Sequence, residues 1–226
     1  MSIPVPAMNE YGFRHDIKKC KRAIIPVGSL EQHGAHLPVS TDALIAEYLA
    51  HQVAASVGAF VLPVIAYGVS FEHMPMFQVS VRKSTLSSLV RDACASLAGN
   101  GIKDITILNG HHGNIKALQN IGRKKGVSVR VVHYWRFMEQ ELGHAGDAET
   151  SLILAIAPEL VHMDRAKAGS KKPDREAFAK IADKPGSFVK ITGNGVWGDP
   201  REASAEKGRQ LIQQISAKIA KAVLES

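Results

Sequence analysis

Short apolar runs alternate with longer segments of helical spacing along the chain. The apolar runs are rich in β-branched residues and cover 23–27, 60–65, 105–108 and 127–132. Such near-continuous runs are typical of strands that are buried on both faces of a parallel sheet. The spacing and the flanking caps predict helices over 42–57, 84–98, 114–125, 150–156 and about 202–224. This alternation predicts a layered α/β domain.

The chain has 226 residues, of which 45% are hydrophobic. A chain of this size can bury one substantial core, so we expect a single domain over residues 1–226. Residues 161–200 are different, because they are rich in Lys, Gly, Pro and Asp and contain only short apolar pieces. We interpret this stretch as a loop-rich excursion, or lid, over the domain.

Composition narrows the possible classes of protein. No apolar run approaches the roughly 20 residues that span a bilayer, and the first ten residues do not resemble a targeting signal, so we expect a cytoplasmic protein without membrane contact. Two cysteines form neither a disulfide framework nor a thiolate zinc site. The net charge of +7 leaves a basic nucleic-acid-binding α/β protein as an alternative. No reading helix or aromatic stacking sheet is recognisable, so no nucleic-acid partner is expected.

Histidines and carboxylates follow three of the predicted strands. They are Glu31, His33, His36 and Asp42 after the first strand, His111 and His112 after the third, and His144 and Glu149 after the fourth. The carboxyl ends of parallel strands meet at one edge, which forms the ligand crevice of open α/β sheets. Asp42 opens a predicted helix, so its carboxylate can either fold back towards this crevice or serve the helix N-terminus.

Imidazoles and carboxylates without thiolates suit zinc, manganese or iron(II), and the carboxylates suffice for one ion or for two ions that share an aspartate. Such ions activate water and polarise a carbonyl, which is the chemistry of amide hydrolysis. Three further histidines stand apart from these clusters, and we interpret them as surface or core residues: His51, His73 and His162.

Three rival interpretations are weaker. Gly193, Gly195 and Gly198 match a dinucleotide fingerprint after a β-like run at 188–191, but only one helix follows, so no βαβ unit can form. Ser29 lacks the nucleophile elbow of a serine hydrolase. A purely structural α/β protein is the remaining alternative, which metal analysis would test.

Five motifs resemble the creatininase, or creatinine amidohydrolase, family: PVGSLEQHGAHLPVSTD, LNGHHGN, HYWRF, HAGDAETSLIL and GDPREASAEKG. The resemblance extends from about residue 24 to residue 212. It implies a three-layer α/β/α fold with a mostly parallel central sheet. It also implies a homo-oligomer, often a hexamer, and a divalent metal centre that hydrolyses an amide bond other than a peptide bond.

The resemblance also assigns roles by position. Metal positions fall on Glu31, His33, Asp42 and His111, with Asp42 on the bridging one. His144 falls on the histidine proposed to shuttle a proton, and Glu149 on an active-site glutamate. Two aromatic residues are assigned to substrate binding: Trp135 and His112.

The chain departs from creatininase at three places. Creatininase has a metal-binding glutamate two residues after the histidine of its NGH motif, where this chain has Gly113, and Glu149 is our candidate to complete the second metal site. The second tryptophan of the creatinine pocket has no counterpart at 138–143, and the usual FPGT is replaced by PMFQ at 75–78. Creatinine is therefore not the expected substrate.

Other family members open different C–N bonds. We expect deformylation of a formylamino-pyrimidine ribonucleotide, as in archaeal flavin and deazaflavin synthesis, with Lys116 and Arg136 as possible phosphate donors. The alternative is another cyclic or terminal amide, such as creatinine or the C-terminal amide of a small redox peptide.

Overall fold

The computed structural model describes residues 2–121, 126–170 and 184–225. The predicted helix 114–125 is shorter in the structure, where it covers Ile115–Leu118 and residues 119–121 are not helical. Residues 122–125, and 171–183 in the middle of the predicted excursion, lie outside the described residues.

Five parallel strands form one sheet in the order β1-β3-β2-β4-β5. The strands are β1 Ser2–Pro4, β2 Arg22–Val27, β3 Ala59–Val61, β4 Asp104–Asn109 and β5 Ser128–His133. The four predicted strands are present, and the α/β class is confirmed. Strand β1 was not predicted, because three residues ending in a proline carry almost no periodic signal. Strand β3 is shorter than predicted, because Pro63 lacks the N–H that a ladder needs.

Seven α-helices lie along the described residues. They are α1 Glu10–Asp16, α2 Thr41–Val57, α3 Lys83–Gly99, α4 Ile115–Leu118, α5 Asp147–Ile156, α6 Ser187–Thr192 and α7 Ala205–Leu224. The β-like run at 188–191 lies in α6, so that prediction was wrong. Four apolar residues cannot distinguish a strand from a buried helical turn.

Helices cover both faces of the sheet. Ile24 and Leu108 point into a core with α2, α5 and α7, whereas the adjacent Ile25 and Ile107 point into a second core with α3 and α4. Successive side chains of a strand alternate between faces, so each buried strand contributes to both cores. The result is the three-layer α/β/α arrangement. No helix of the described residues is both long and apolar enough to cross a membrane.

The pairing register brings the carboxyl ends of β2, β4 and β5 to the same level of the sheet. Val27 of β2 pairs with Asn109 of β4, and Asn109 pairs in turn with His133 of β5. The loops that follow these strands therefore leave the same edge of the sheet side by side.

Candidate metal centre

The structure brings most of the predicted site residues together at this edge. Six of them are buried, with exposed fractions between 0% and 8%: Glu31, His33, Asp42, His111, His144 and Glu149. His36 is buried too, but its Nε2 lies 3.0 Å from Thr150 Oγ1, so the structure pairs it with a hydroxyl of α5.

Two glycines allow the first turn of α2 to enter the edge of the sheet. A Cβ at Gly28 would lie 2.5 Å from the backbone of Ala43, and a Cβ at Gly110 would lie 2.6 Å from the Asp42 carbonyl oxygen. Neither position can carry a larger residue unless the helix moves away. The close approach places Asp42 between the ends of β2 and β4.

The Asp42 carboxylate lies between two imidazoles. Its Oδ1 is 3.2 Å from His33 Nε2, and its Oδ2 is 3.0 Å from His111 Nδ1. The alternative in which Asp42 serves the helix N-terminus is not seen, because both oxygens face these rings. One carboxylate with one oxygen towards each histidine has the disposition that a bridging ligand requires.

Glu149 and His144 lie on the His33 side. Glu149 Oε2 is 3.9 Å from His33 Nε2, and it accepts a hydrogen bond of 2.5 Å from the Ala145 backbone N–H. The His144 and His33 rings are 4.2 Å apart between centroids. Ala145 has a positive φ of 51°, a backbone conformation that is costly for a residue with a Cβ.

Glu31 lies on the His111 side, where it meets two residues that the sequence analysis missed. Glu31 Oε2 is 3.2 Å from His111 Nε2, and Glu31 Oε1 is 3.1 Å from His73 Nε2. Glu72 Oε1 is 3.8 Å from His111 Nε2. The expectation that His73 is an isolated histidine is wrong. The available signal was that Glu72 and His73 follow the predicted strand 60–65 and leave the same edge of the sheet.

Gln32 holds two of these histidines in defined orientations. Its Oε1 accepts a hydrogen bond from Gly34 N–H (3.0 Å), and its Nε2 donates to the Gly195 carbonyl (3.1 Å), which fixes the amide orientation. Nε2 also lies 2.9 Å from His73 Nδ1, which must accept. The backbone carbonyl of Gln32 lies 2.9 Å from His144 Nε2 and can accept its hydrogen.

Several atoms of the site that could bind a metal make no hydrogen bond among the described residues. These buried atoms are both carboxylate oxygens of Glu31, Asp42 Oδ2 and His33 Nε2. Each of them instead faces an imidazole or carboxylate of the site at 3.0–3.2 Å, and buried polar atoms without a hydrogen bond are rare and call for an explanation. Three groups of side chains offer ligand atoms within 4.8 Å of one another: Glu31, Asp42 and His111; His33, His144 and Glu149; and Glu31, His73 and His144. This set of donors fits divalent metal ions.

Charges in the site act strongly on one another. Burial alone would lower the pKa of His33, but the carboxylates of Asp42, Glu149 and Glu31 outweigh it and raise that pKa to about 9. In the same way, Glu31 and Asp42 outweigh burial and raise the pKa of His111 to about 10. These two imidazoles hold the pKa of the Asp42 carboxyl far below its usual value, although burial opposes the shift.

The pKa values of three other groups are shifted in the direction that favours their neutral forms. Burial raises the pKa of Glu149 to about 7, against the opposing effect of His33. Burial likewise raises the pKa of Glu72. For His144, burial and the charges of His33 and His73 hold the pKa well below its usual value.

A small cavity opens onto this centre. It measures about 320 Å³ including its mouth, and it is lined by carboxylates and histidines of the centre together with His112, Gly143 and Phe188. Trp135 lies behind this wall, with its ring stacked on His112 at 4.0 Å between centroids. His112 therefore lines the cavity, whereas Trp135 packs against the His112 ring and is not among the described residues that line the cavity. Sequence analysis missed Phe188, whose ring lies 4.7 Å from that of His73.

Comparison with known proteins agrees with this geometry. The sequence matches the creatininase family, described as creatinine amidohydrolase, over residues 7–223. A mycofactocin precursor peptide peptidase from Mycobacterium ulcerans is 34% identical over 204 residues, 85% of this chain and 80% of that protein. Creatinine amidohydrolase from Pseudomonas putida is 29% identical over 237 residues, 89% and 88% of the two chains.

A third relative acts on a nucleotide. The 2-amino-5-formylamino-6-ribosylaminopyrimidin-4(3H)-one 5'-monophosphate deformylase of Methanothermobacter marburgensis is 28% identical over 215 residues, 85% of this chain and 91% of that protein. Among solved structures, a manganese creatininase has a TM-score of 0.83 and 26% identity, and it covers 100% of this chain and 98% of its own. A mutant creatininase of Zn-Zn type has a TM-score of 0.82 and 28% identity, with the same coverage.

The fold and the buried cluster of imidazoles and carboxylates define a metal-dependent hydrolase. The chain belongs to the creatininase family. Its relatives are described as acting on amide or peptide bonds, so the restriction to bonds other than peptide bonds does not follow from family membership.

Proposed function

We propose that this protein is an amidohydrolase with two divalent metal ions, zinc, manganese or iron(II), on either side of Asp42. The position of the Asp42 carboxylate between His33 and His111 carries this proposal. Glu149 would serve the ion beside His33, and Glu31 the ion beside His111. When bound, the ions supply an activated water molecule and polarise the carbonyl of the substrate.

We assign proton transfer to His144. With its hydrogen on Nε2 and donated to the Gln32 carbonyl, the lone pair of Nδ1 faces the site, where Nδ1 lies 3.9 Å from Glu31 Oε1. The lowered pKa keeps the ring neutral near pH 7. A neutral ring at this place can accept a proton from the attacking water and deliver it to the departing nitrogen.

For the substrate, we propose first an amide at the end of a small peptide. The identity of 34% to a precursor peptide peptidase supports this choice. A further observation is that, among the residues that the structure describes, no Lys or Arg lines the cavity at the centre or the adjacent cavity, which shares Gly143 with it. These linings favour a substrate without a phosphate next to the scissile bond.

Deformylation of a formylamino-pyrimidine nucleotide is the second candidate. The relative that carries this name is 28% identical. Lys116 and Arg136, the phosphate donors suggested by the sequence, are exposed and do not line either cavity. A phosphate bound by either residue would therefore lie outside these two cavities.

A competition assay on metal-loaded protein tests the proposal. Three substrates are supplied together: a short peptide, the formylamino-pyrimidine nucleotide, and creatinine. Cleaved peptide, formate and creatine are then measured, with Asp42→Ala as the control for contaminating hydrolases. We expect peptide cleavage to dominate. Formate as the main product would reverse the ranking, and no turnover of any amide by a fully loaded protein would refute the amidohydrolase.

A further inference from the structure

The side-chain amide of Gln32 is held in one orientation. Gln32 is buried, and its Oε1 accepts a hydrogen bond from the Gly34 N–H at 3.0 Å, while its Nε2 donates to the Gly195 carbonyl at 3.1 Å. A Cβ at position 195 would lie 2.0 Å from Oε1, so the glycine leaves the room that the amide occupies. An amide turned by half a rotation would place two acceptors, and two donors, against each other.

Three atoms lie within reach of the two hydrogens on Gln32 Nε2. They are the Gly195 carbonyl oxygen, His73 Nδ1 at 2.9 Å and His144 Nε2 at 3.2 Å. His144 Nε2 is also 2.9 Å from the Gln32 backbone carbonyl, which can only accept, so this nitrogen carries a hydrogen. The two amide hydrogens therefore go to Gly195 and His73. This assignment gives each of these buried groups a partner, as buried polar groups normally have.

The two histidines thus present different groups to the site. A neutral imidazole has one N–H and one lone pair on its ring nitrogens. His73 accepts at Nδ1, so its hydrogen is on Nε2, which lies 3.1 Å from Glu31 Oε1. His144 donates from Nε2, so its lone pair is on Nδ1, which lies 3.9 Å from the same oxygen. Phe188 packs against both rings, at 4.7 Å and 4.8 Å between centroids.

We propose that Gln32 is a positioning residue that gives His73 and His144 opposite tautomers, so that His73 presents an N–H group to the site and His144 presents a lone pair. The inference rests on the proposed function for one point, which is the use of this lone pair in proton transfer.

This arrangement also decides which histidines can bind metal. A ring nitrogen that carries a hydrogen cannot bind an ion, so His73 Nε2 is not a ligand while Gln32 donates to the other nitrogen of the ring. Glu31, His73 and His144 offer ligand atoms within 4.8 Å of one another. They therefore do not form a third metal site.

Nitrogen NMR of the zinc-loaded protein tests the proposal. The ¹⁵N shift of a ring nitrogen distinguishes an N–H group, a free lone pair and a metal-bound lone pair, so labelled histidine reports both the tautomers and the metal ligands. The signals are assigned by their loss in His73→Gln and in His144→Gln. Contacts of the Phe188 ring with both imidazoles assign them independently, so the result does not depend on the folding of these variants.

Gln32→Glu is the matched variant. It keeps the size of the side chain and the backbone carbonyl that faces His144, but it replaces the NH₂ group with an oxygen that can only accept. We expect a lone pair on His73 Nδ1 in the unmodified protein and a hydrogen there in Gln32→Glu. His144 should keep its hydrogen on Nε2 in both proteins. It is therefore the internal control.

Two other variants complete the test. Gln32→Met removes the amide altogether, and we expect His73 to show a mixture of both tautomers. Gln214→Glu adds the same charge as Gln32→Glu at an exposed position of α7 and should leave the signals of both histidines unchanged.

Three results would overturn the inference. They are a hydrogen on His73 Nδ1 in the unmodified protein, zinc bound to His73 Nε2, and a His73 tautomer that is the same in Gln32→Glu as in the unmodified protein. None of these results affects the proposed function. Conversely, a zinc-loaded protein that shows the expected tautomers and hydrolyses no amide would refute the proposed function alone.

Discussion

Metal binding to this site should compete directly with protons. In the metal-free protein the pKa values of His33 and His111 are raised to about 9 and about 10 by the neighbouring carboxylates. Both imidazoles are therefore protonated at pH 7, and a protonated nitrogen cannot bind a metal. Each ion must displace one proton from its histidine before it binds.

The size of the effect follows from these values. At pH 7 the neutral form is about one molecule in 100 for His33 and about one in 1,000 for His111. The metal affinity of each site at pH 7 should therefore be lower, by about these factors, than the affinity reached when its histidine is fully deprotonated. The affinity for the His111 ion should rise about tenfold per pH unit up to about pH 10. The affinity for the His33 ion should rise about tenfold per unit between about pH 7 and pH 9, and more steeply below pH 7, where Glu149 is protonated as well.

Chelator competition from pH 6 to pH 9 measures these slopes. Calorimetry at pH 8, in two buffers of different ionisation enthalpy, counts the released protons, and we expect about two per subunit from the two imidazoles. His33→Gln should lower the count by one. Affinities that do not change with pH, or less than one proton released per subunit, would refute the reasoning.

Three further predictions concern single residues. Asp42→Ala should remove both ions, because its two oxygens face the two histidines; elemental analysis that finds one ion retained would exclude a bridging role. His144→Ala should keep both ions and lower kcat about 100-fold or more; loss of metal would make His144 a ligand instead. Gly113→Ala should lower the free energy of unfolding by about 1–3 kcal/mol, because its Cβ overlaps segment 69–72. In urea titrations Gly99→Ala, whose Cβ meets nothing within 4 Å, is the control and should be neutral or stabilising.

The central part of the site could be predicted from the sequence. Glu31, His33, Asp42 and His111 stand directly after buried strands or at the start of a helix, and parallel topology brings such positions to one edge. The spacing of two residues indicates that Glu31 and His33 project to one side and can share one ion. In the structure, however, Glu31 faces His111 and His33 faces the other oxygen of Asp42. That division depends on Asp42, which two glycines admit between the strands.

The rest of the site depends on loop conformation, which periodicity does not report. Glu72, His73 and Phe188 lie in segments without a sustained hydrophobic pattern, and contacts with distant residues place them. Gln32 illustrates the difficulty, because its amide connects His73 with Gly195, which lies 163 positions after Gln32 in the chain. Such long-range contacts determine side-chain positions and leave no local signal in the sequence.

The glycine at position 113 restricts how this site can change by mutation. A glutamate at 113 and segment 69–72 in its present place exclude each other, since even a Cβ would overlap the Val69 carbonyl. Introducing a glutamate at 113 into this chain should therefore displace segment 69–72 and produce an inactive protein.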